Sequence, residues 1–105
     1  MIVNVLSYTG RKYPYEIKNE KNLRGIVIKI ISGDHVITPL YEDGSVGSGY
    51  DPMKDMKDKR IMNFYDGTFF IEASHIDDYN KLADPYDLFD KDWAERTNLI
   101  REGDN

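Results

Sequence analysis

Apolar and polar positions divide the first two thirds of the chain into paired strands. Ile2 to Tyr8 and Arg11 to Ile17 flank Thr9-Gly10, where Gly10 supplies the positive φ that a two-residue connection needs. Pro14 has no N–H to give a ladder, so the second arm belongs at a sheet edge. Ile26 to Ser32 and His35 to Tyr41 flank a second tight pair, Gly33-Asp34. The run Ile26-Val27-Ile28-Lys29-Ile30-Ile31 is β-branched and apolar on both faces, which predicts a central strand covered on each side. Pro39 predicts an end or a bulge in its partner strand. Arg60 to Tyr65 and Thr68 to Ala73 flank Asp66-Gly67, the type I′ dipeptide. In that register Phe64 faces Phe69 and Met62 faces Ile71, and all four share one face.

The periodicity then turns helical. Ser74 with Asp77 three residues on predicts a capped helix from His75 to about Leu82, burying Ile76, Tyr79 and Leu82. Asp84-Pro85 with Asp87 repeats the start signal and predicts a second helix from Pro85 to about Arg101. Tyr86, Phe89, Trp93 and Ile100 would form its apolar stripe, with Trp93 in the core. Asp87, Asp90 and Asp92 near its start, and Arg96 and Arg101 near its end, suit the helix dipole. Gly103 fits just past the stop.

These elements predict an α+β fold: about six strands in antiparallel hairpins, as a sheet or small open barrel, followed by two C-terminal helices. Residues 1–105 read as one domain, with a β-hairpin region at 1–73 and an acidic helical region at 74–105. The segment 42–59, rich in Gly and charge, has no periodicity and is long for a loop in a compact domain.

Composition narrows the chemistry. The absence of cysteine excludes a disulfide scaffold, a thiolate metal site and thiol catalysis, and makes a reducing cytoplasm the default compartment. No run approaches the roughly 20 apolar residues of a membrane span. The opening Met-Ile-Val-Asn-Val-Leu reads as a first strand, not a secretory leader. Plentiful Ile, Lys, Asn, Asp and Tyr beside scarce Ala and no Gln suggest an AT-rich genome, as in many Gram-positive bacteria and their phages.

Charge is unevenly placed. Residues 1–75 hold ten acidic and ten basic side chains, whereas residues 76–105 hold nine acidic and four basic, so the whole net charge of −5 falls on the C-terminal region. Such a face repels nucleic acid and attracts basic surfaces. Solubility and helix capping explain part of it.

Candidate motifs are few. Gly44-Ser-Val-Gly47-Ser-Gly49 matches neither the dinucleotide fingerprint nor a P-loop, so it reads as a surface loop. Lys54, Lys57, Lys59 and Arg60 form a basic cluster after Tyr50, but Asp55 and Asp58 cancel half its charge. His35 reads as a turn residue and His75 as a helix start. No third ligand or His-Glu-x-x-His spacing accompanies them, so no metal, cofactor or catalytic residue is expected. Asp84, Asp87, Asp90 and Asp92 lack the spacing and central Gly of a calcium loop.

The expected function is protein binding, without enzymatic activity. A small acidic module would dock on a basic or nucleic-acid-binding partner and inhibit it, as phage and mobile-element counter-defence inhibitors do, anti-CRISPR proteins among them; this is an analogy of type. The expected contacts are Asp87, Asp90, Asp92, Glu95, Asp77, Asp78 and Tyr50, with 44–59 as a secondary contact. Eight tyrosines suit an interface. The alternatives are an immunity-type protein that neutralises a toxin, a β domain stacking nucleic-acid bases on Tyr8, Tyr13 and Tyr15 beside Lys12, and a small enzyme using His75 with Asp77 or Asp78.

Overall fold

The computed structural model describes residues 1–52, 67–97 and 99–101. Its element order is β1 (Ile2–Leu6), β2 (Lys12–Glu16), β3 (Leu23–Ile31), β4 (Asp34–Tyr41), β5 (Gly67–Glu72), a 3-10 turn (Ala73–His75), α1 (Ile76–Asn80), a second 3-10 turn (Pro85–Phe89), α2 (Lys91–Arg96) and a two-residue pairing, β6 (Ile100–Arg101). β1 and β2 form one antiparallel sheet, and a second runs in the order β4-β3-β5-β6. The fold is α+β, as expected. The described residues hold five strands of five residues or more, not six, and the sheets close into no barrel. The arm expected at Arg60 to Tyr65, and with it Met62, Phe64 and the Asp66 half of the third turn, lies outside the described residues, and β5 begins at Gly67.

Both described hairpins form, each with its turn displaced. In the first, Leu6 pairs with Lys12, and Ser7 N–H donates to the Arg11 carbonyl at 2.9 Å. The loop is therefore the three residues Tyr8-Thr9-Gly10, with Gly10 at φ 82°, the positive-φ position that ends a three-residue hairpin. In the second, Ile31 pairs with Asp34, and Ser32 (φ 53°) with Gly33 (φ 84°) makes the two-residue turn in place of Gly33-Asp34. Asp34 is drawn into the strand because its carboxylate accepts the Tyr8 N–H at 2.7 Å. The shift moves each β3 residue's partner by two positions, so every side chain keeps its face.

β3 is central, paired with β4 on one side and β5 on the other, and among the described residues it is covered on one face. Ile26, Ile28 and Ile30 are buried, while Lys29 and Ile31 are exposed. The cover comes from β1 (Val3, Val5, Leu6) and from Ile76, Tyr79, Leu82, Leu88 and Trp93, all within one core with Ile37, Phe69 and Ile71. Fully burying each large apolar side chain there stabilises the fold by about 2 kcal/mol. A bulge at Arg24 marks the start of β3, and the Arg24 guanidinium sits 5.0 Å over the Phe70 ring. Next to it only glycine fits at Gly25: a Cβ there would lie 2.2 Å from the Ile71 carbonyl oxygen.

Pro39 neither ends β4 nor makes a bulge in it; it pairs with Ile26 within the strand. Ile37 exchanges hydrogen bonds with Tyr50 (2.9 and 2.8 Å), and Tyr41 N–H reaches the Ser45 carbonyl, so odd residues of β4 direct their amides to the outer edge. Pro39's missing donor therefore faces that edge, away from β3. The first part of the non-periodic 42–59 stretch folds back here as far as Tyr50 and protects the sheet edge.

Ser74 does not cap a helix. β5 runs straight into the 3-10 turn, which places Ser74 inside the turn, and neither that turn nor α1 has a side-chain cap. The buried positions of this region are as expected: Ile76, Tyr79 and Leu82. The second helix is divided. Asp84, Pro85 and Asp87 form the predicted capping box, but it opens a 3-10 turn that stops at Asp90 (ψ 124°). Asp90 then caps α2 through the Trp93 N–H at 3.1 Å. One continuous helix would turn Leu88 and Trp93, five residues apart, about 140° from each other. The break lets both enter the core and leaves Tyr86 exposed. Ile100 joins β6 instead of a helical stripe, and Gly103 lies outside the described residues. Among the described residues, no helix is long and apolar enough to cross a membrane.

The free edge of β1 is completed by a side chain. Asn80 Oδ1 accepts the Asn4 N–H at 2.8 Å, Asn80 Nδ2 donates to the Ile2 carbonyl at 2.9 Å, and Asn4 Nδ2 donates to the Asn80 carbonyl at 3.2 Å. One amide thus stands in for a neighbouring strand and ties α1 to β1. Asn80→Ala is expected to lower stability by about 1–2 kcal/mol, chiefly because it removes the partner of the part-buried Asn4 N–H; urea unfolding at neutral pH measures it, and a loss under about 0.5 kcal/mol contradicts the assignment.

Candidate functional site: an acidic groove and a buried histidine

The expected contact residues fall into separate places. Asp78, Asp87, Asp90 and Asp92 line one groove of about 540 Å³ between α1 and the segment that follows, together with Lys81, Leu82, Ala83, Trp93 and Arg96. Two of these acids also have local work. Asp87 Oδ2 accepts the N–H groups of Ala83 (2.8 Å) and Asp84 (3.1 Å), and Asp90 caps Trp93. Asp78 lies 3.4 Å from His75 Nδ1. Asp92 is exposed on the first turn of α2. Glu95 is outside the lining, 3.8 Å from Lys91, and Asp77 is exposed on α1. The groove's wall thus carries four carboxylates against Lys81 and Arg96, with the Trp93 ring beside them.

Tyr50 belongs elsewhere. Its ring lies 6.2 Å from Tyr13 and 5.7 Å from Tyr15, half-buried against the edge of β4. The Tyr15 hydroxyl donates to the Ser48 carbonyl and the Tyr41 hydroxyl to the Asn19 carbonyl (2.9 Å). Burial, with Tyr41 nearby, raises the Tyr15 pKa. Tyr13 and Tyr15, half-buried on β2, are therefore packed against Tyr50. The Gly44–Gly49 stretch has structural uses of its own: Gly44 turns at φ 87°, and a Cβ on Gly49 would lie 2.6 Å from the Ile37 carbonyl oxygen. The basic cluster from Lys54 to Arg60 lies outside the described residues. Among the described residues, no three His, Asp or Glu side chains converge as a metal site requires.

His35 is not a turn residue. It is wholly buried on β4, paired with Ile30. Its Nδ1 lies 2.9 Å from the Tyr79 hydroxyl and its Nε2 3.0 Å from the Pro85 carbonyl oxygen. A carbonyl only accepts, so Nε2 carries the proton and Nδ1 accepts from Tyr79 O–H. Burial pushes the His35 pKa down to about 4, opposed by the bond to Pro85, and burial raises that of Tyr79. Asp34, beside it, is also buried; burial raises its pKa, against hydrogen bonds from Tyr8 and Ser7 that lower it. The available signal was the alternation His35-Ile37-Pro39, which puts the imidazole on the inward face.

The two kinds of groove acid separate by substitution. Asp87→Ala is expected to cost about 1.5 kcal/mol, as loss of a cap does. Asp92→Ala should fall within about 0.5 kcal/mol of wild type. Thermal or urea unfolding distinguishes them, and equal losses contradict the capping role.

No protein-family model matches this chain, and none of the curated proteins or solved structures compared with it does. Its functional reading rests on the chemistry of the groove.

Proposed function

We propose that the chain is a protein-binding module whose acidic groove docks a basic surface, that of a nucleic-acid-binding protein, and antagonises that partner. The observation that carries this reading is the gathering of Asp78, Asp87, Asp90 and Asp92 on one concave wall. They belong to the part of the chain that holds the full net charge of −5. Carboxylates set in a concavity focus a negative field, which speeds encounter with a cationic partner and disfavours acidic ones. Asp87 and Asp90 are already oriented by the amides they cap, so less side-chain freedom is lost on docking.

The test is affinity capture at low and at high salt, with Asp78→Lys/Asp92→Lys beside wild type, because neither residue caps a helix. The expected result is a basic protein retained by wild type and released by salt, with affinity at least tenfold weaker for the double variant. Equal retention by both proteins contradicts the reading.

A further inference from the structure

We propose that His35 is a protonation-sensitive latch that holds the acidic segment from Ala83 to Thr97 against the sheet, and that protonating the imidazole releases this segment locally. The inference goes beyond the partner reading and does not depend on it.

The geometry admits one proton on the ring. Nε2–H serves the Pro85 carbonyl, and Nδ1 receives the Tyr79 hydroxyl hydrogen. A second proton at Nδ1 would face that hydrogen. Turning the hydroxyl to accept would leave its own hydrogen to find a new partner inside a fully buried site. The bond to Pro85 would gain strength, but the charge would stay buried.

No side-chain charge offsets it among the described residues. From β4, the Asp34 carboxylate is turned to Tyr8 and Ser7. From α1 comes Tyr79; from β3 the paired residue is Ile30; from β1, Leu6. From the 3-10 turn, Asp84 accepts from Tyr86 and Asp87 from Ala83 and Asp84. Relief therefore requires water at the ring, and one of the elements covering it must move.

The segment after Ala83 is the cover that yields. α1 is fixed to β1 by the Asn80 hydrogen bonds and buries Ile76 and Tyr79. The hydrogen bonds of Asp84, Asp87 and Asp90, by contrast, close within the segment itself. Its hold on the sheet includes the buried Pro85, Leu88, Trp93 and Thr97, the edge-on contact of Phe89 with Phe69 at 5.3 Å and the bond from His35 to the Pro85 carbonyl.

The sign follows from linkage. In the open form His35 titrates near its ordinary value of 6.5, and in the closed form near 4. The open form therefore binds more protons as pH falls between those values, and closure weakens; above 6.5 the latch is fully set.

Native-state amide exchange, divided by the intrinsic rate at each pH, reads the opening. The amides of Ala94 and Thr97 are expected to exchange at least tenfold faster than those of Ile26 and Ile28, with an opening constant that rises about sevenfold from pH 6 to pH 5. His35→Gln should abolish the rise. Should that variant not fold, Tyr79→Phe is the second test: removing the hydroxyl that opposes a second proton at Nδ1 should raise the closed-form value, so that the rise between pH 6 and pH 5 becomes smaller and levels off at a higher pH. The proposal is overturned if Ala94 and Thr97 show no pH slope, if the slope survives His35→Gln, if Tyr79→Phe leaves it unchanged, or if these amides open only together with those of β3.

Discussion

A neutral imidazole with no exposure to water is the constraint on which the rest of the arrangement depends. A buried polar ring is tolerated only when each nitrogen finds a partner, and the partners here come from distant parts of the chain. Tyr79 of α1, His35 of β4 and Pro85 at the start of the second 3-10 turn form one hydrogen-bonded series. Apolar burial supplies more free energy, but it is indifferent to small slips of one element over another. The series is not, since each donor has one acceptor. It therefore sets where α1 and the acidic segment stand on the sheet.

The same region shows how a small chain uses a carboxylate twice. Asp87 and Asp90 neutralise unpaired amides at the starts of short helical turns. Because those starts lie side by side along the break at Asp90, the capping acids also line a concavity with Asp78 and Asp92. The break in turn comes from the demand that Leu88 and Trp93 both be buried. Core packing thus dictates the helix break, the break dictates the caps, and the caps build the negative wall assigned to partner binding.

Local signals in the sequence were legible where one turn of chain decides the outcome. Asp84-Pro85 with Asp87 reads as a capping box because all its partners lie within four residues. The β-branched run after Gly25 reads as a central strand because its pattern is dense, although its outer face, with Lys29 and Ile31 exposed, has no second layer among the described residues. Non-local choices were not legible. Asp34 shifted the second turn by one residue through a hydrogen bond to Tyr8, 26 positions earlier. The order of the stretch after Tyr41 could not be read because it comes from pairing with the β4 edge, not from its own periodicity. His35 was misread for the same reason: its partners are 44 and 50 residues away. The acids of the groove were named from charge alone, but their convergence on one wall, and the exclusion of Glu95 and Tyr50 from it, needed the fold.

The state of the His35 ring tests the account most directly. Long-range proton–nitrogen correlation of the imidazole, recorded from pH 7.5 down to 4.5, reports which nitrogen carries the proton and when the second arrives. The account predicts one fixed tautomer, protonated at Nε2, with nitrogen shifts that stay those of a neutral ring through pH 6 in the closed form. Averaging of the two tautomers, or an ordinary titration near 6.5 with the fold intact, would contradict it.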